Sequence, residues 1–488
     1  MGALVGFAVI SGWAVLFLPW LLSYTSEGTV GAFVIGAVFV LLFGVTLGAS
    51  RARITSVRTT VYRSALLIWW FLLVWEIAFE RLNDPYSMTQ GTFAAQAYEE
   101  SAMWVLAFCA LLVISLRQPG YLRQLFSGSH KWLSVFILFS LVSIAYAPGK
   151  AYSAAWGFKL LLIVLVLQLC ATLSQNLSDV VTFLKVTMWA FLVLSVVPVM
   201  EAFSSAGPTF EDGRLAGDPD WLSPVAAVVM LTALILYSVE KKKHYVPVGL
   251  VGLVVMFLAF GKSGIVAGIF AALLFLLLQG QVVRSLGLLL GVGAVGGLII
   301  SVTPIAGYLH SYAGADSLTG RTVIWSGAME AIRQSPIWGH GFLSTYFAFS
   351  RGTAQIEFMH LHNAFLEVAY NNGLIGVVLL LIVNYVIVRN VVTTMRMATI
   401  LQSRGDERGR LAYILAVGFL AMYVDSFVDG LFNASFGGRP RNFYMFFLAV
   451  FMLSAVTQRL VSQMLGNTNL NQDQPRQRLY SVVTYQPK

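Results

Sequence analysis

Two histidines stand two positions apart where a long polar segment gives way to an apolar one: Met359-His360-Leu361-His362-Asn363-Ala-Phe-Leu-Glu367. In an extended stretch their rings point the same way, whereas in a helix they diverge. A same-side pair could hold a metal, but no third Cys, His or carboxylate follows at a metal-site spacing, and no metal is assigned. A histidine at the wet end of a helix is suited instead to taking a proton near neutral pH.

Basic side chains near this junction need a reason, because the loops on the same side are acidic. Glu201–Asp220 holds five acids and one base, Arg214. Arg214 and Arg321 lie in glycine-containing turns, where backbone can approach a ligand closely. Guanidinium groups grip phosphate oxygens with two parallel hydrogen bonds. Lys262, Arg439 and Arg441 also fall at helix ends on this side. For Arg439 and Arg441 the plain alternative is contact with lipid headgroups by snorkelling. The residues alone describe a site for an anionic, lipid-linked ligand.

The rest of the chain must carry that site in a bilayer. Of 488 residues, 58% are hydrophobic and 11% charged, with a mean hydropathy of +0.77. A soluble domain carries about 25% charged residues. A soluble enzyme, a nucleic-acid binder and a disulfide scaffold are therefore excluded. The two cysteines, Cys109 and Cys170, both fall in apolar runs and read as core residues. The N-terminal apolar run, without a basic leader, reads as a retained first span.

Apolar runs long enough to cross a bilayer recur throughout. Candidates lie at about 3–22, 29–49, 64–80, 101–116, 131–147, 153–173, 179–202, 221–239, 246–260, 264–280, 283–303, 363–388, 411–430 and 442–458. The expected fold is an all-α polytopic transmembrane bundle of about 12–14 spans over residues 1–465, with a disordered cytoplasmic tail at 466–488. With the N-terminus inside, 21 of the 31 basic residues fall on inner segments against 5 of the 22 acidic ones. That asymmetry places both termini in the cytoplasm.

The longest outer connection, 304–361, is expected to be functional and to contain amphipathic helices. One helix would open at Gly320-Arg321, with Leu318, Trp325, Met329 and Ile332 near one face, and would end at Pro336. Trp325 and Trp338 read as interfacial anchors.

His362-Asn363, nine further residues, and then Gly373-Leu-Ile-Gly376 resembles the signature of the bacterial O-antigen ligase family. Val377 departs from the residue that often follows. Gly320-Arg321…Trp325 with Pro336…Gly339-x-Gly341 is similar to the family's outer loop, and Arg214-Leu-Ala-Gly217 to its earlier Arg-x-x-Gly turn. Gly261-Lys262-Ser263 stands where relatives often have Ser-Arg. The clear resemblance covers about residues 200–390.

The resemblance implies a glycosyltransferase of the GT-C type in the bacterial inner membrane, with its active site facing the periplasm. It would transfer a glycan, with inversion, from undecaprenyl diphosphate to an acceptor hydroxyl, without a metal ion, cofactor or nucleotide sugar. By this resemblance His362 is the base, while Arg214, Arg321 and Lys262 stabilise the departing diphosphate. Asn363, Gly373, Gly376 and His360 would support them, the glycines by letting a neighbouring helix pack closely. His360 has no counterpart in the signature.

The acceptor separates three family readings: lipid A-core for a ligase, the growing glycan for an O-antigen or exopolysaccharide polymerase, or protein hydroxyls. Polymerases often carry Arg followed by Gly after ten positions, a pattern that neither Arg214 nor Arg321 begins. A lipid-linked sugar permease or flippase is the reading from another class. It would place ionisable residues near the midplane, where only Lys159, Glu367 and Asp425 are candidates.

Overall fold

The computed structural model describes residues 57–80, 124–204, 210–211, 214–215, 219–302, 321–348, 361–433 and 436–482. The expected spans at 3–22, 29–49 and 101–116 lie outside the described residues, as do His360 and Cys109.

Within the described residues the chain is all-helical apart from one small hairpin. In chain order the helices are α1 (Val57–Glu80), α2 (His130–Val142), α3 (Lys150–Leu173), α4 (Leu177–Ser204), α5 (Pro219–Glu240), α6 (Tyr245–Ala259) and α7 (Lys262–Leu278). They continue with α8 (Val282–Val302), α9 (Arg321–Gln334), α10 (Thr345–Ala348), α11 (Ala364–Ser403), α12 (Glu407–Gly430) and α13 (Asn442–Val482). The two-residue strands β1 (Phe210–Glu211) and β2 (Arg214–Leu215) pair antiparallel, with Glu211 opposite Arg214.

Seven helices among the described residues are long and apolar enough to cross a membrane: α3, α4, α5, α8, α11, α12 and α13. The apolar stretches of α1, α2, α6 and α7 are shorter, 10–17 residues. The expected span at 131–147 is α2 followed by a 3-10 turn, Ser143–Tyr146. The span expected at 363–388 runs on to Ser403, and α13 keeps helical backbone to Val482.

The main core is one cluster that draws on most of the spans, and a small second one lies under α9. Helices α11, α12 and α13 pack against one another, α12 also packs on α7, and α5 lies between α4 and α6. Small residues set the closest approaches. A side chain at Gly252 would collide with α5 backbone, and one at Gly264 with Ser223 and Pro224. In a bilayer, where burying apolar surface drives little, such close packing is the main source of helix association.

Candidate functional site

The site is built where α11 begins. Asn363 is extended and caps the helix: its side-chain carbonyl accepts from the amides of Phe365 and Leu366, both at 3.0 Å. These amides have no partner inside the helix, and an Asn cap stabilises such an end by about 1 kcal/mol. The Asn363 amide nitrogen donates to Leu431 O at 2.9 Å, tying the cap to the end of α12.

His362 precedes the cap with φ of 47°, in the left-handed region that a non-glycine residue seldom adopts. Its neighbours hold it there. The Leu361 N–H donates to Glu367 Oε2 at 3.0 Å, and the Leu361 carbonyl accepts from the Trp325 indole at 2.9 Å. Leu361 itself is fully buried against Ile324, Ala328 and Tyr370. Glu367, also fully buried, accepts from Thr345 Oγ1 at 2.5 Å and from the Asn371 side chain at 3.4 Å. Leu361, the residue before His362, is thus gripped at both its amide and its carbonyl.

Helix α9 brings Arg321 to this place. Its buried stripe is Ile324 and Ala328, with Trp325, Ala331 and Ile332 beside them, and it packs on the start of α11. Met329 is exposed, so the expected face of Trp325, Met329 and Ile332 is rotated by about one position. Trp325 is a hydrogen-bond donor to the site as well as an apolar contact, which corrects its reading as a mere interfacial anchor. Trp338 is exposed, and its ring lies against Phe139. Burial first, and the Arg321 charge second, push the His362 pKa down to about 4. The imidazole is therefore neutral at neutral pH, as a proton acceptor must be.

The glycines of the signature do something other than the expected helix packing. Gly373 breaks α11, with φ of 63° and ψ of −165°. The break leaves α11 backbone groups without helical partners, and the turn after α9 takes them. His340 N donates to Tyr370 O at 2.9 Å and Gly341 N to Asn371 O at 2.8 Å. Leu374 N in turn donates to Pro336 O at 2.8 Å. A Cβ on Gly373 would strike the Ile337 carbonyl, and one on Gly339 would strike the backbone of Asn371 and Gly373. Irregular backbone in a bilayer protein persists where protein satisfies it, and here the loop does so. A Cβ on Gly376 would meet Asn372 and Val368 of its own helix.

The other predicted cations are placed less fully. Lys262 opens α7 and is exposed. Its neighbour Ser263 accepts from Asn433 at 2.7 Å, and Asn433 also donates to Asp429 at 2.8 Å. The start of α7 therefore joins the same 429–433 turn that receives Asn363. Arg214 lies in strand β2, which leans on α6; the description there is of backbone alone.

Arg439 departs from the headgroup reading. It is buried, with its guanidinium 4.2 Å from the Tyr346 ring centre, 5.3 Å from Tyr152 and 5.6 Å from Trp156. Its charge also acts on Glu367. Snorkelling would have left it in the headgroups; an aromatic enclosure holds it inside instead. Among the described residues no three His, Cys, Asp or Glu gather as metal ligands.

Glu367 and Thr345 were not among the predicted site residues. Glu367 is five positions after His362, inside an apolar run, and an acid in such a place is itself a signal. Nothing in the sequence marks Thr345, because its role depends on how the 336–346 segment folds back.

Residues 224–381 match the family model described as O-antigen ligase. The matched segment includes Lys262, Arg321, His362, Asn363, Gly373 and Gly376, and it excludes Arg214. Among curated proteins, no match is found.

Proposed function

From the O-antigen ligase family domain at residues 224–381, we propose that this multi-pass membrane protein is an inverting glycosyltransferase. The proposed donor is a glycan on undecaprenyl diphosphate. The proposed acceptor is a hydroxyl of lipid A-core, reached at the periplasmic face of the inner membrane.

In this reading His362 takes the proton from the acceptor hydroxyl while that oxygen bonds to the anomeric carbon. The bond from that carbon to the diphosphate breaks, and its electron pair leaves on the phosphate oxygen. Arg321, with Arg214 and Lys262, meets the charge that grows there. A pKa of about 4 suits a base that must be neutral in the free enzyme but makes it a weak one. Bound diphosphate answers this: it offsets the Arg321 charge and so raises the basicity of His362 as the substrate arrives.

The observation that carries the proposal is the left-handed His362, gripped through Leu361 and Asn363, under the charge of Arg321. The test is transfer from purified lipid-linked glycan in the presence of chelator. His362→Ala is expected to slow transfer by about a hundred- to ten-thousand-fold while the lipid diphosphate still binds. His360→Ala is expected to lose much less. Near-normal turnover by His362→Ala, or activity abolished by chelator alone, would overturn the mechanism. Lengthened glycan still attached to its carrier would assign a polymerase instead.

A further inference from the structure

A cavity of about 680 Å³ opens at the other end of the bundle from His362, between the turn at 124–130, the end of α3 and residues 455–463 of α13. It lies at the end where the charge asymmetry puts the cytoplasm. Its surface is about half polar, with amides, hydroxyls, His130 and Arg459 among the lining residues, and none of the described residues that line it is a carboxylate.

The lining hydroxyls of Ser127, Ser129, Thr172, Ser174 and Ser462 all donate within the protein, which leaves them as acceptors and the arginine as the strongest donor. Arg459 Nη2 donates to Ala171 O at 2.9 Å and to Ser174 O at 2.8 Å. Arg58 takes Leu173 O, through Nε at 2.9 Å and through Nη2. The negative end of α3 is thereby covered. Arg459 retains its Nε and Nη1 donors, which make no hydrogen bond among the described residues, so three of its five N–H groups remain. At the rim α2 begins without a side-chain cap, since the Ser129 hydroxyl donates to Asn390 at 3.1 Å. The positive end of that helix dipole adds to the arginine.

We propose that this cavity binds a phosphodiester bearing hydroxyl groups. One fixed arginine and a helix start match a singly charged phosphodiester better than a doubly charged monoester. The amides and hydroxyls match a polyol substituent, and the volume exceeds what a lone phosphate fills. Such a group can arrive on an inner-leaflet lipid such as phosphatidylglycerol or as a soluble glycerophosphodiester.

The test reads binding, not glycan transfer, so it stands apart from the proposed activity. Full-length protein is placed in nanodiscs of equal phosphatidylglycerol and phosphatidylcholine, and retained lipid is weighed by native mass spectrometry. Glycerophosphoglycerol is titrated calorimetrically against protein in phosphatidylcholine alone. Two variants are compared with wild type: Arg459→Gln, and Ser462→Trp, which crowds the rim from an exposed position. Each is expected to weaken binding by about ten- to a hundredfold, the effect of losing a charged hydrogen bond or its access.

Retention of phosphatidylglycerol that both variants abolish assigns the lipid source. Variant-sensitive binding of glycerophosphoglycerol alone assigns the soluble one. Equal retention of both lipids, no binding of either probe, or binding unchanged in the variants would overturn the proposal. If Arg459→Gln does not fold, Ser462→Trp decides.

Discussion

Helices α8 and α11 are both apolar and long enough to span a bilayer, and both contain glycines, yet they use them in opposite ways. In α8, a Cβ at Gly287, Gly291, Gly293 or Gly297 would meet nothing within 4 Å among the described residues, only one at Gly296 would meet a side chain, that of Phe257, and Val283, Leu290 and Leu298 face outward. In α11, Gly373 sits at a break with a positive φ, and the Pro336–Gly341 turn occupies the space a side chain would need. The difference lies in what each glycine touches. An apolar helix facing lipid stays regular because nothing competes for its backbone. A helix that carries the candidate base at its end can be broken, provided that a docked loop takes the freed carbonyls and amides. The same loop continues into Thr345, which holds Glu367, and through Glu367 the peptide before His362.

Substitutions across this pair test it, and the largest effect is expected at the break. Gly373→Ala forces a non-glycine residue into the left-handed region and into the Ile337 carbonyl, at about 2–5 kcal/mol in all. Thermal unfolding in detergent is expected to show a clear loss, with transfer activity falling at least as steeply. Unchanged stability would mean that the helix is continuous through residue 373.

Glu367→Ala comes next. It strands the Leu361 amide and the Thr345 hydroxyl in a buried place, an expected loss of about 1–3 kcal/mol per orphaned group. Because the lost contact positions His362, turnover is expected to fall more than donor affinity, whereas Glu367→Gln, which can still accept one hydrogen bond, recovers part of it. Equal losses in kcat and in donor binding would assign Glu367 to folding alone.

A smaller and more specific effect is expected at Arg321. Arg321→Lys keeps the charge but loses the planar fork, so roughly a tenfold loss of kcat/KM is expected if the fork holds phosphate. Arg321→Gln removes the charge that helps push His362 down to about 4. The histidine pKa then rises, so the neutral base is lost at a higher pH as the medium is acidified. The acid limb of the kcat/KM profile should therefore move upward in Arg321→Gln and stay in place in Arg321→Lys. An unmoved limb in Arg321→Gln would separate the two residues.

The smallest effect belongs to α8. Gly291→Ala and Gly297→Ala add a methyl group in open space and remove the flexibility of glycine. Stability is expected to be unchanged or raised by up to about 1 kcal/mol, with activity intact. A large loss at either position would reveal a packing partner for that face.

The bilayer setting was legible in the residues, and so was the candidate base-and-arginine pattern. Length, apolar runs and the scarcity of charge leave no other solvent for the spans, and the spacing from His362-Asn363 to Gly373 and Gly376 is a local pattern. The use of that pattern was only partly legible. The expectation that Gly373 and Gly376 let a helix pack closely follows from their type, but glycine serves close approach and positive φ equally. Only the partner distinguishes the two, and that partner begins at Pro336, more than thirty residues earlier. The sequence leaves Arg439 open for a related reason: its place at a helix end allows snorkelling, while its three aromatic neighbours come from α3 and the segment before α11.

Composition and periodicity determined that this protein is a helical membrane bundle, because transfer of apolar surface and pairing of backbone groups depend on each residue's own chemistry. The residues also offered His360, His362 and Arg321 as candidates, since proton-accepting and anion-gripping capacities are properties of the side chains, and the family resemblance preferred His362. Tertiary structure alone decided that His362 adopts a left-handed backbone, that Glu367 and Trp325 hold the peptide before it, and that a loop fills the break in α11. Those outcomes depend on contacts between segments far apart in the chain, where each hydrogen bond exists only once the helices have packed.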